Sequence, residues 1–149
     1  MSHRKLFLVV VVFLTVSGLA FAAEWETDYA KALETAKAQN KRVLLDFTGS
    51  DWCGPCIQLK QRAFSRPEFG SYAEKNLILV EIDYPQRKKQ SPGLVKQNER
   101  LAKQYGIEEK GYPTLVLLDP AGKIVREQSG YDGENAADII AWIEGKGKR

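Results

Sequence analysis

The sequence predicts an α/β domain in which helices flank a central mixed β-sheet of about four strands. Short apolar runs have the length and composition of buried strands, and they lie at 42–47, 77–83 and 114–119. The segments between them are longer, and apolar residues recur in them at helical spacing. Strands that alternate with helices in this way are typical of a sheet covered on both faces.

The N-terminal half of the domain is expected to contribute two strands and three helices. Helical spacing before the first strand is carried by five apolar residues: Trp25, Tyr29, Ala32, Leu33 and Ala36. We therefore expect an amphipathic helix over about 27–39 whose aromatic residues contact the core. After the strand at 42–47, good helix formers predict a second helix over about 53–64. Pro67 suits the first turn of a third helix, which ends shortly before the strand at 77–83.

The C-terminal half begins with a polar segment bounded by two prolines, 84–92, which we expect to form a loop. Apolar residues at helical spacing then predict a helix over 94–105. The remaining elements are predicted in the order strand, turn, strand and helix, at 114–119, 119–122, 124–128 and 134–144.

Residues 1–22 have the pattern of a secretory signal peptide. Two basic residues precede an almost wholly apolar stretch, and Ala20-Phe21-Ala22 presents small residues at the two positions that a signal peptidase recognises. We expect cleavage after Ala22, which leaves one domain at 23–149 in the periplasm or outside the cell. An uncleaved membrane anchor is the alternative.

Removal of the predicted signal peptide leaves a nearly neutral domain. Lys and Arg fall from 22 to 20 against 19 Asp and Glu, so the net charge is about +1. Such a balance gives no reason to expect nucleic acid as a partner. The basic run at 87–89 and the basic C-terminal tail are interpreted as solvated surface rather than as a binding patch.

The chain has two cysteines, Cys53 and Cys56, at the predicted start of a helix. The positive partial charge at a helix N-terminus favours the thiolate of Cys53, and the thiolate is the nucleophile in thiol–disulfide exchange. Cys56 is one helical turn further on, close enough to attack a mixed disulfide formed at Cys53. Because neither cysteine is left to form a structural bridge elsewhere, the pattern favours a catalytic dithiol.

The single histidine, His3, lies in the predicted signal peptide, which excludes several other cysteine chemistries for the mature domain. A Cys2His2 zinc site and a Cys–His hydrolase both need imidazole. Ile57 follows Cys56 where c-type haem attachment needs histidine. We therefore expect neither a metal nor an organic cofactor. A zinc ion shared by two chains through four cysteines is the alternative.

Two motifs give the chain a resemblance to the thioredoxin superfamily that extends over roughly 25–145. They are Trp52-Cys53-Gly54-Pro55-Cys56 and Gly111-Tyr112-Pro113-Thr114. The segment Phe47-Thr48-Gly49-Ser50 is most similar to exported bacterial thioredoxin-like proteins. The resemblance implies a thioredoxin fold with an extra loop and helix at 84–105, inserted before the cis-proline strand. This insertion either contacts a partner or lengthens a surface helix.

The resemblance also implies roles for residues around the dithiol. Cys53 attacks, Cys56 resolves, and Asp46 handles the proton of Cys56. Asp46 stands in an apolar strand, where burial should raise the pKa of its carboxyl group. Six residues separate Asp46 from Cys53, one more than in thioredoxin, so an exposed carboxylate at the strand end is the alternative. Leu79 occupies the place of a neighbouring lysine in thioredoxin, and Asp51 is a weaker candidate.

For substrate binding, the resemblance implies a cis peptide bond before Pro113, which faces the dithiol. An ordinary trans proline at the start of a strand is the alternative. Tyr112 is expected to offer backbone groups to a substrate strand, and Trp52 to pack beside the dithiol and shape docking. Gly54 and Pro55 complete the active-site loop, and both Gly49 and Gly54 are expected to permit tight turns.

These observations predict an exported protein-disulfide reductase. The Gly-Pro dipeptide between the cysteines is that of thioredoxin, which is strongly reducing at about −270 mV. In an oxidising compartment such a reductase needs recharging, so we expect protein disulfides as substrates, a membrane electron donor as a partner, and a monomer. Two alternatives stay open: a disulfide oxidase or isomerase with the same dithiol, and a non-catalytic binding module on a thioredoxin fold.

Overall fold

The computed structural model describes residues 23–147, which form a thioredoxin fold: a mixed β-sheet covered by helices on both faces. Within these residues the sheet has five strands in the order β1-β3-β2-β4-β5. They are β1 (Trp25–Glu26), β2 (Arg42–Thr48), β3 (Leu77–Asp83), β4 (Thr114–Leu118) and β5 (Ile124–Ser129). The central strand β2 is parallel to β3 and antiparallel to β4. The predicted signal peptide at 1–22 lies outside the described residues.

Six α-helices connect the strands in this part of the chain. They are α1 (Tyr29–Gln39), α2 (Gly54–Leu59), α3 (Pro67–Asn76), α4 (Pro92–Tyr105), α5 (Ile107–Lys110) and α6 (Ala136–Ile143). Helix α2 passes directly into a π-helical turn over Lys60–Phe64, so the helix predicted over 53–64 is divided in two. Between residues 23 and 147, no helix has both the length and the hydropathy needed to cross a membrane.

Each face of the sheet has its own hydrophobic core, because the side chains of β2 alternate between the two faces. Val43, Leu45 and Phe47 pack with residues of α1 and α4 on one face. Leu44 packs on the other face with residues of α2, α3, α6 and the π-helical turn. Asp46 is two residues beyond Leu44, so its side chain lies on the face that α2 covers.

The sheet contains one strand more than the sequence predicted, the short edge strand β1. Trp25 lies in this strand, which is parallel to β3. Trp25 fits the helical spacing from which the first helix was predicted, but it lies outside that helix. Its ring centroid is 4.9 Å from that of Phe64. Helix α1 begins only at Tyr29, where the Asp28 carboxylate caps it. A strand of two residues is too short to show the alternation by which strands are predicted, and the four-residue α5 was missed for a similar reason.

The predicted insertion at 84–105 forms a loop over 84–91 and then α4, whose N-terminus is capped by the Ser91 side chain. Three apolar residues of α4 are buried in the core shared with α1: Leu101, Ala102 and Tyr105. The Asn98 side chain donates to the carbonyl oxygen of Asp83 at 3.0 Å. The helix is therefore part of the domain core, whereas the loop before it lies at the carboxyl end of β3.

Candidate active site

The two cysteines follow the carboxyl end of β2 and form a disulfide at the start of α2. Cys53 is the N-cap residue of α2, and its Sγ accepts the N–H of Cys56 at 3.3 Å. The N–H of Cys53 donates to the carbonyl oxygen of Gly49 at 2.9 Å, which closes the loop between strand and helix. The structure thus brings Cys53 and Cys56 together in a well-packed position, with exposed fractions of 5% and 4%.

The position of Cys53 favours a nucleophilic thiolate. The first N–H groups of a helix have no partner within the helix, and they create a positive potential at its N-terminus. The N–H of Cys56 already points at the Cys53 sulfur in the disulfide form. In the reduced protein, a donor at this place stabilises negative charge on the sulfur.

Gly54 and Pro55 form the first turn of α2 and not a loop, which corrects the prediction from sequence. Proline suits this turn because its missing N–H has no helical partner to lose. A Cβ atom at Gly54 would meet no heavy atom within 4 Å, and the backbone there is not left-handed, so no tight turn requires glycine. At Gly49, the other glycine expected to permit a tight turn, the reason for glycine is space, because a Cβ atom would lie 2.4 Å from the Trp52 ring.

Asp46 is buried in the middle of the sheet, with 6% of its surface exposed, so it is not an exposed strand-end carboxylate. Its Oδ1 atom has no hydrogen-bond partner among the described residues. Burial raises the pKa of this carboxyl group to about 8, and the neighbouring Glu81 carboxylate adds to the increase. An acid with a pKa near 8 can both bind and release a proton close to neutral pH, which proton transfer in catalysis requires.

Glu81 is a residue of the site that the sequence analysis missed. The register of β2 and β3 places Glu81 opposite Asp46, whereas Leu79 lies opposite Leu44. The prediction that Leu79 is the neighbour of Asp46 is therefore wrong by two residues along β3. The side chain of Glu81 binds Lys60, with 3.0 Å between Nζ and Oε1.

Lys60 lies in the π-helical turn, and its ion pair with Glu81 connects this turn to β3. Its positive charge lowers the pKa of Asp46 and so opposes the effect of burial, whereas the carboxylate of Asp83 raises that pKa slightly further. Lys60 is four residues after Cys56, a spacing that places two side chains on one side of a helix. This spacing is visible in the sequence, but the partner of Lys60 on β3 is not.

Three aromatic rings pack together next to Cys53, and we call them the aromatic cluster: Trp52, Tyr84 and Tyr112. Trp52 is 38% exposed, and its Nε1 donates to the carbonyl oxygen of Tyr84 at 2.7 Å. The ring centroid of Tyr112 is 5.6 Å from that of Trp52 and 5.4 Å from that of Tyr84. The sequence singled out Trp52 and Tyr112, but it gave no signal for Tyr84, which comes from the loop after β3.

Pro113 lies directly before β4, and the peptide bond that joins it to Tyr112 is cis. The register of β2 and β4 pairs Thr114 with Phe47, so Pro113 is at the same edge of the sheet as the loop that leads to Cys53. Among the described residues, no backbone group hydrogen-bonds to the N–H or carbonyl oxygen of Tyr112. Both groups are therefore available to an extended peptide.

Two carboxylates bind the loop before Cys53 to the end of β3 and to the loop that follows it. Asp51 accepts the N–H groups of Gln86 and Arg87 at 2.9 and 2.8 Å. These hydrogen bonds, chiefly the one from Gln86, hold the pKa of Asp51 below its usual range. Asp83 accepts the N–H and the hydroxyl of Ser50 at 2.8 and 2.5 Å. Asp51 is thus engaged with the backbone of the second loop, and this leaves Asp46 as the candidate for proton transfer.

The geometry defines a class of protein. A dithiol at a helix N-terminus, with a buried acid on the same face of the sheet, is typical of a thiol–disulfide oxidoreductase. Between residues 23 and 147, no group of three or more His, Cys, Asp and Glu side chains is placed to hold a metal ion. The family model described as thioredoxin-like matches residues 24–120. The chain belongs to this thioredoxin-like family.

Individual relatives support the same class. The chain is 38% identical to the disulfide bond reductase DsbH of Chlamydia pneumoniae over 116 residues, which are 78% of this chain and 68% of that protein. It is 32% identical to a protein disulfide-isomerase of Drosophila melanogaster, covering 94% of this chain but 26% of that protein. A solved structure of a DsbH oxidoreductase superposes with a TM-score of 0.78 at 31% identity, covering 97% and 94% of the two chains.

Proposed function

We propose that this protein is an exported protein-disulfide reductase. The observation that carries the proposal is the dithiol itself: Cys53 at the N-terminus of α2 accepts the Cys56 N–H, on the sheet face where Asp46 is buried. The fold and the relatives support thiol–disulfide exchange, and the substrate class and the direction of exchange are our inference.

In the proposed reaction, two electrons pass from the protein to a substrate disulfide. The Cys53 thiolate attacks one substrate sulfur, so that a mixed disulfide forms and the other substrate sulfur leaves as a thiolate. Asp46, as a carboxylate, then accepts the proton of the Cys56 thiol. The Cys56 thiolate attacks the Cys53 sulfur, which closes the Cys53–Cys56 disulfide and releases the second substrate thiolate. Both substrate thiolates take protons from solvent or from Asp46.

Substrate binding is assigned to the aromatic cluster and the residues beside Pro113. An extended substrate segment would hydrogen-bond to the free N–H and carbonyl groups of Tyr112, in the manner of a strand added to an edge. Trp52 and the Tyr112 ring would contact the apolar side chains around the substrate disulfide. Gly54 and Pro55 contribute the first turn of α2, which holds Cys53 at the end of the helix.

The reducing direction is supported by the Gly-Pro dipeptide between the cysteines and by the reductase named among the relatives. Thioredoxin has a potential of about −270 mV, whereas strongly oxidising relatives reach about −120 mV. This difference corresponds to about 7 kcal/mol for a two-electron couple. The measurement that tests the direction is the equilibrium potential of the Cys53–Cys56 pair, followed by tryptophan fluorescence in glutathione buffers.

A potential near that of thioredoxin would support the reductase. A potential well above about −200 mV would replace it with a disulfide oxidase or isomerase, which the isomerase among the relatives makes the principal alternative. If no reversible dithiol transition is observed, and a Cys53→Ser/Cys56→Ser variant keeps full biological function, the protein is a binding module on a thioredoxin fold.

We further propose that the reductase works in the periplasm or outside the cell, as a monomer, after a signal peptide at 1–22 is removed. In an oxidising compartment the dithiol has to be reduced again after each turnover, so the proposal includes a membrane electron donor. N-terminal sequencing of the protein from a periplasmic fraction should begin at Ala23. A product that begins at Met1 and sediments with membranes would indicate an uncleaved anchor.

A further inference from the structure

The basic run at 87–89, interpreted from sequence as solvated surface, is held beside the aromatic cluster in the folded protein. The Asp51 carboxylate binds the backbone N–H groups of Gln86 and Arg87. The Trp52 indole binds the carbonyl oxygen of Tyr84 at 2.7 Å. These hydrogen bonds hold the basic run against Asp51 and Trp52, the two residues that directly precede Cys53. They use only backbone groups of the second loop, so the basic side chains remain free to bind something else.

The three basic side chains are exposed and pair with no carboxylate of residues 23–147. Arg87, Lys88 and Lys89 are all exposed at the surface. None of the ion pairs found within residues 23–147 includes any of the three. Asp51 is an acid near this loop, and the charge of Lys88 contributes to lowering its pKa. Its carboxylate oxygens already accept two backbone hydrogen bonds, so the loop keeps an excess of positive charge.

Acidic residues lie close to another part of the aromatic cluster. Glu108 and Glu109 are exposed on α5, shortly before Tyr112, and Glu108 is close enough to raise the pKa of the Tyr112 hydroxyl, although burial of the ring is the larger cause. The aromatic cluster is therefore bordered by basic side chains of the loop after β3 and by acidic side chains of α5. Charges of both signs beside a bound peptide favour one orientation of that peptide over the other.

We propose that the loop at 84–91 is a docking element that binds an acidic segment next to the disulfide of a protein substrate. The inference rests on the proposed function, since it names the kind of protein whose disulfide is reduced. A polypeptide fits better than a nucleic acid or a membrane, because the surface continues into the aromatic cluster and the free backbone groups of Tyr112. Those groups bind an extended peptide, and no such continuity is needed to bind a flat anionic surface.

The test uses three disulfide-linked peptides that differ only in the residues flanking the disulfide, which are Glu, Gln or Lys. The protein is first reduced, and the rate constant for its oxidation by each peptide is followed by tryptophan fluorescence. At low salt we expect the Glu peptide to react about tenfold faster than the Gln peptide and the Lys peptide to react more slowly. The difference should disappear at about 500 mM salt, where charges are screened within a few ångströms.

A variant and a matched control identify the loop as the cause. The variant carries Arg87→Gln, Lys88→Gln and Lys89→Gln, which leaves the anchoring backbone groups in place. The control removes the same charge with Lys37→Gln, Lys75→Gln and Lys123→Gln. These three residues are exposed and lie near the amino ends of β2 and β3, where Val43 pairs with Leu118, at the edge of the sheet opposite the dithiol. The preference for the Glu peptide should be lost in the variant and retained in the control.

Each outcome has a distinct meaning. If the protein reduces the Gln peptide but shows no preference for the Glu peptide, the docking proposal is overturned and the reductase stands. If no peptide is reduced, the proposed function fails together with the inference. A third outcome is that all peptides react at equal rates, while the wild type sediments with phosphatidylserine vesicles and the triple variant does not. This outcome would show that the loop binds an anionic membrane, and it would overturn the proposal that the loop binds an acidic peptide segment.

Discussion

The buried carboxyl group of Asp46 is costly to the stability of the fold. The group has no hydrogen-bond partner for Oδ1 among the described residues, and its pKa is raised to about 8. A carboxyl group that only supported the fold would be paired, because an unpaired buried polar group is destabilising. We propose that this unpaired acid exchanges a proton with Cys56, a role that its raised pKa suits.

Replacing Asp46 with asparagine should stabilise the folded protein and slow its chemistry. In the unfolded chain the carboxyl group ionises above its ordinary pKa of 3.8, whereas in the folded protein it stays protonated up to about 8. The free energy of unfolding of the wild type therefore decreases as pH rises between these two values, and asparagine removes that decrease. We expect Asp46→Asn to be more stable by about 2 to 4 kcal/mol at pH 7 and nearly unchanged at pH 4.

Urea unfolding of the oxidised protein across this pH range measures the effect. Asp132→Asn is the matched control, since Asp132 is exposed, and its stability should follow the wild type at every pH. The second readout is the rate at which Cys56 resolves a mixed disulfide, which should fall in Asp46→Asn alone. A variant that gains stability without any change in this rate would show that Asp46 does not transfer the proton.

At the scale of elements, the register of β3 and the π-helical turn after α2 set the charges that face Asp46. Lys60 and Glu81 act in opposite directions on its pKa, because one is a cation and the other an anion. Lys60→Met should raise the pKa of Asp46, and Glu81→Gln should lower it. The ion pair itself contributes about 1 kcal/mol or less to stability, because the Lys60 side chain is half exposed.

The pH dependence of mixed-disulfide resolution distinguishes this effect from simple loss of structure. The midpoint of the profile should move to higher pH in Lys60→Met and to lower pH in Glu81→Gln. Lys31→Met, which removes another surface ion pair with a carboxylate, should leave the midpoint in place. Shifts in the same direction for both variants would mean that general destabilisation, and not charge, controls the profile.

The loop at 84–91 is held in place in part by the Asp51 carboxylate. Asp51 accepts two of its backbone N–H groups, so Asp51→Ala should increase the hydrogen exchange rates of the Gln86 and Arg87 amides severalfold, as observed by NMR. Since the pKa of Asp51 is lowered, the same protection in the wild type should persist in mild acid and be lost only as pH falls through this lowered value. Asp132→Ala should leave both amides unchanged, and a wild-type loop that exchanges equally fast would contradict the anchoring role.

Local sequence predicts those elements and residues whose signal is local. The strands at 42–47 and 77–83 follow from their apolar runs, and the Cys53–Cys56 pair follows from its spacing at a helix start. Glu81 was missed because the register between two strands is a property of the whole sheet. The anchoring of the second loop by Asp51 was missed for the same reason, because its donors are 35 and 36 residues away along the chain.

At the scale of the whole molecule, one edge of the sheet carries the chemistry and the two cores support it from both faces. On one face, Val43, Leu45 and Phe47 pack β2 against α1 and α4. On the other face, Leu44 packs it against the helices that include α2, which begins at the dithiol. Asp46 and the loop to Cys53 therefore extend from a strand that is held on both faces. Substitutions in either core should move the dithiol and the buried acid together, since both are attached to β2.

The direction of the reaction should also appear in the stability of the entire domain. The dithiol potential and the folding free energies of the oxidised and reduced forms belong to one thermodynamic cycle, in which a more reducing protein is one whose fold favours the disulfide form. Each 30 mV corresponds to about 1.4 kcal/mol in this cycle. We therefore expect the oxidised protein to have the higher free energy of unfolding, as measured by urea titration with and without dithiothreitol. The Cys53→Ser/Cys56→Ser variant should unfold identically in both conditions. A reduced form more stable than the oxidised one would instead describe an oxidising protein, as in DsbA, whose reduced form is stabilised, and the reductase assignment would have to be abandoned.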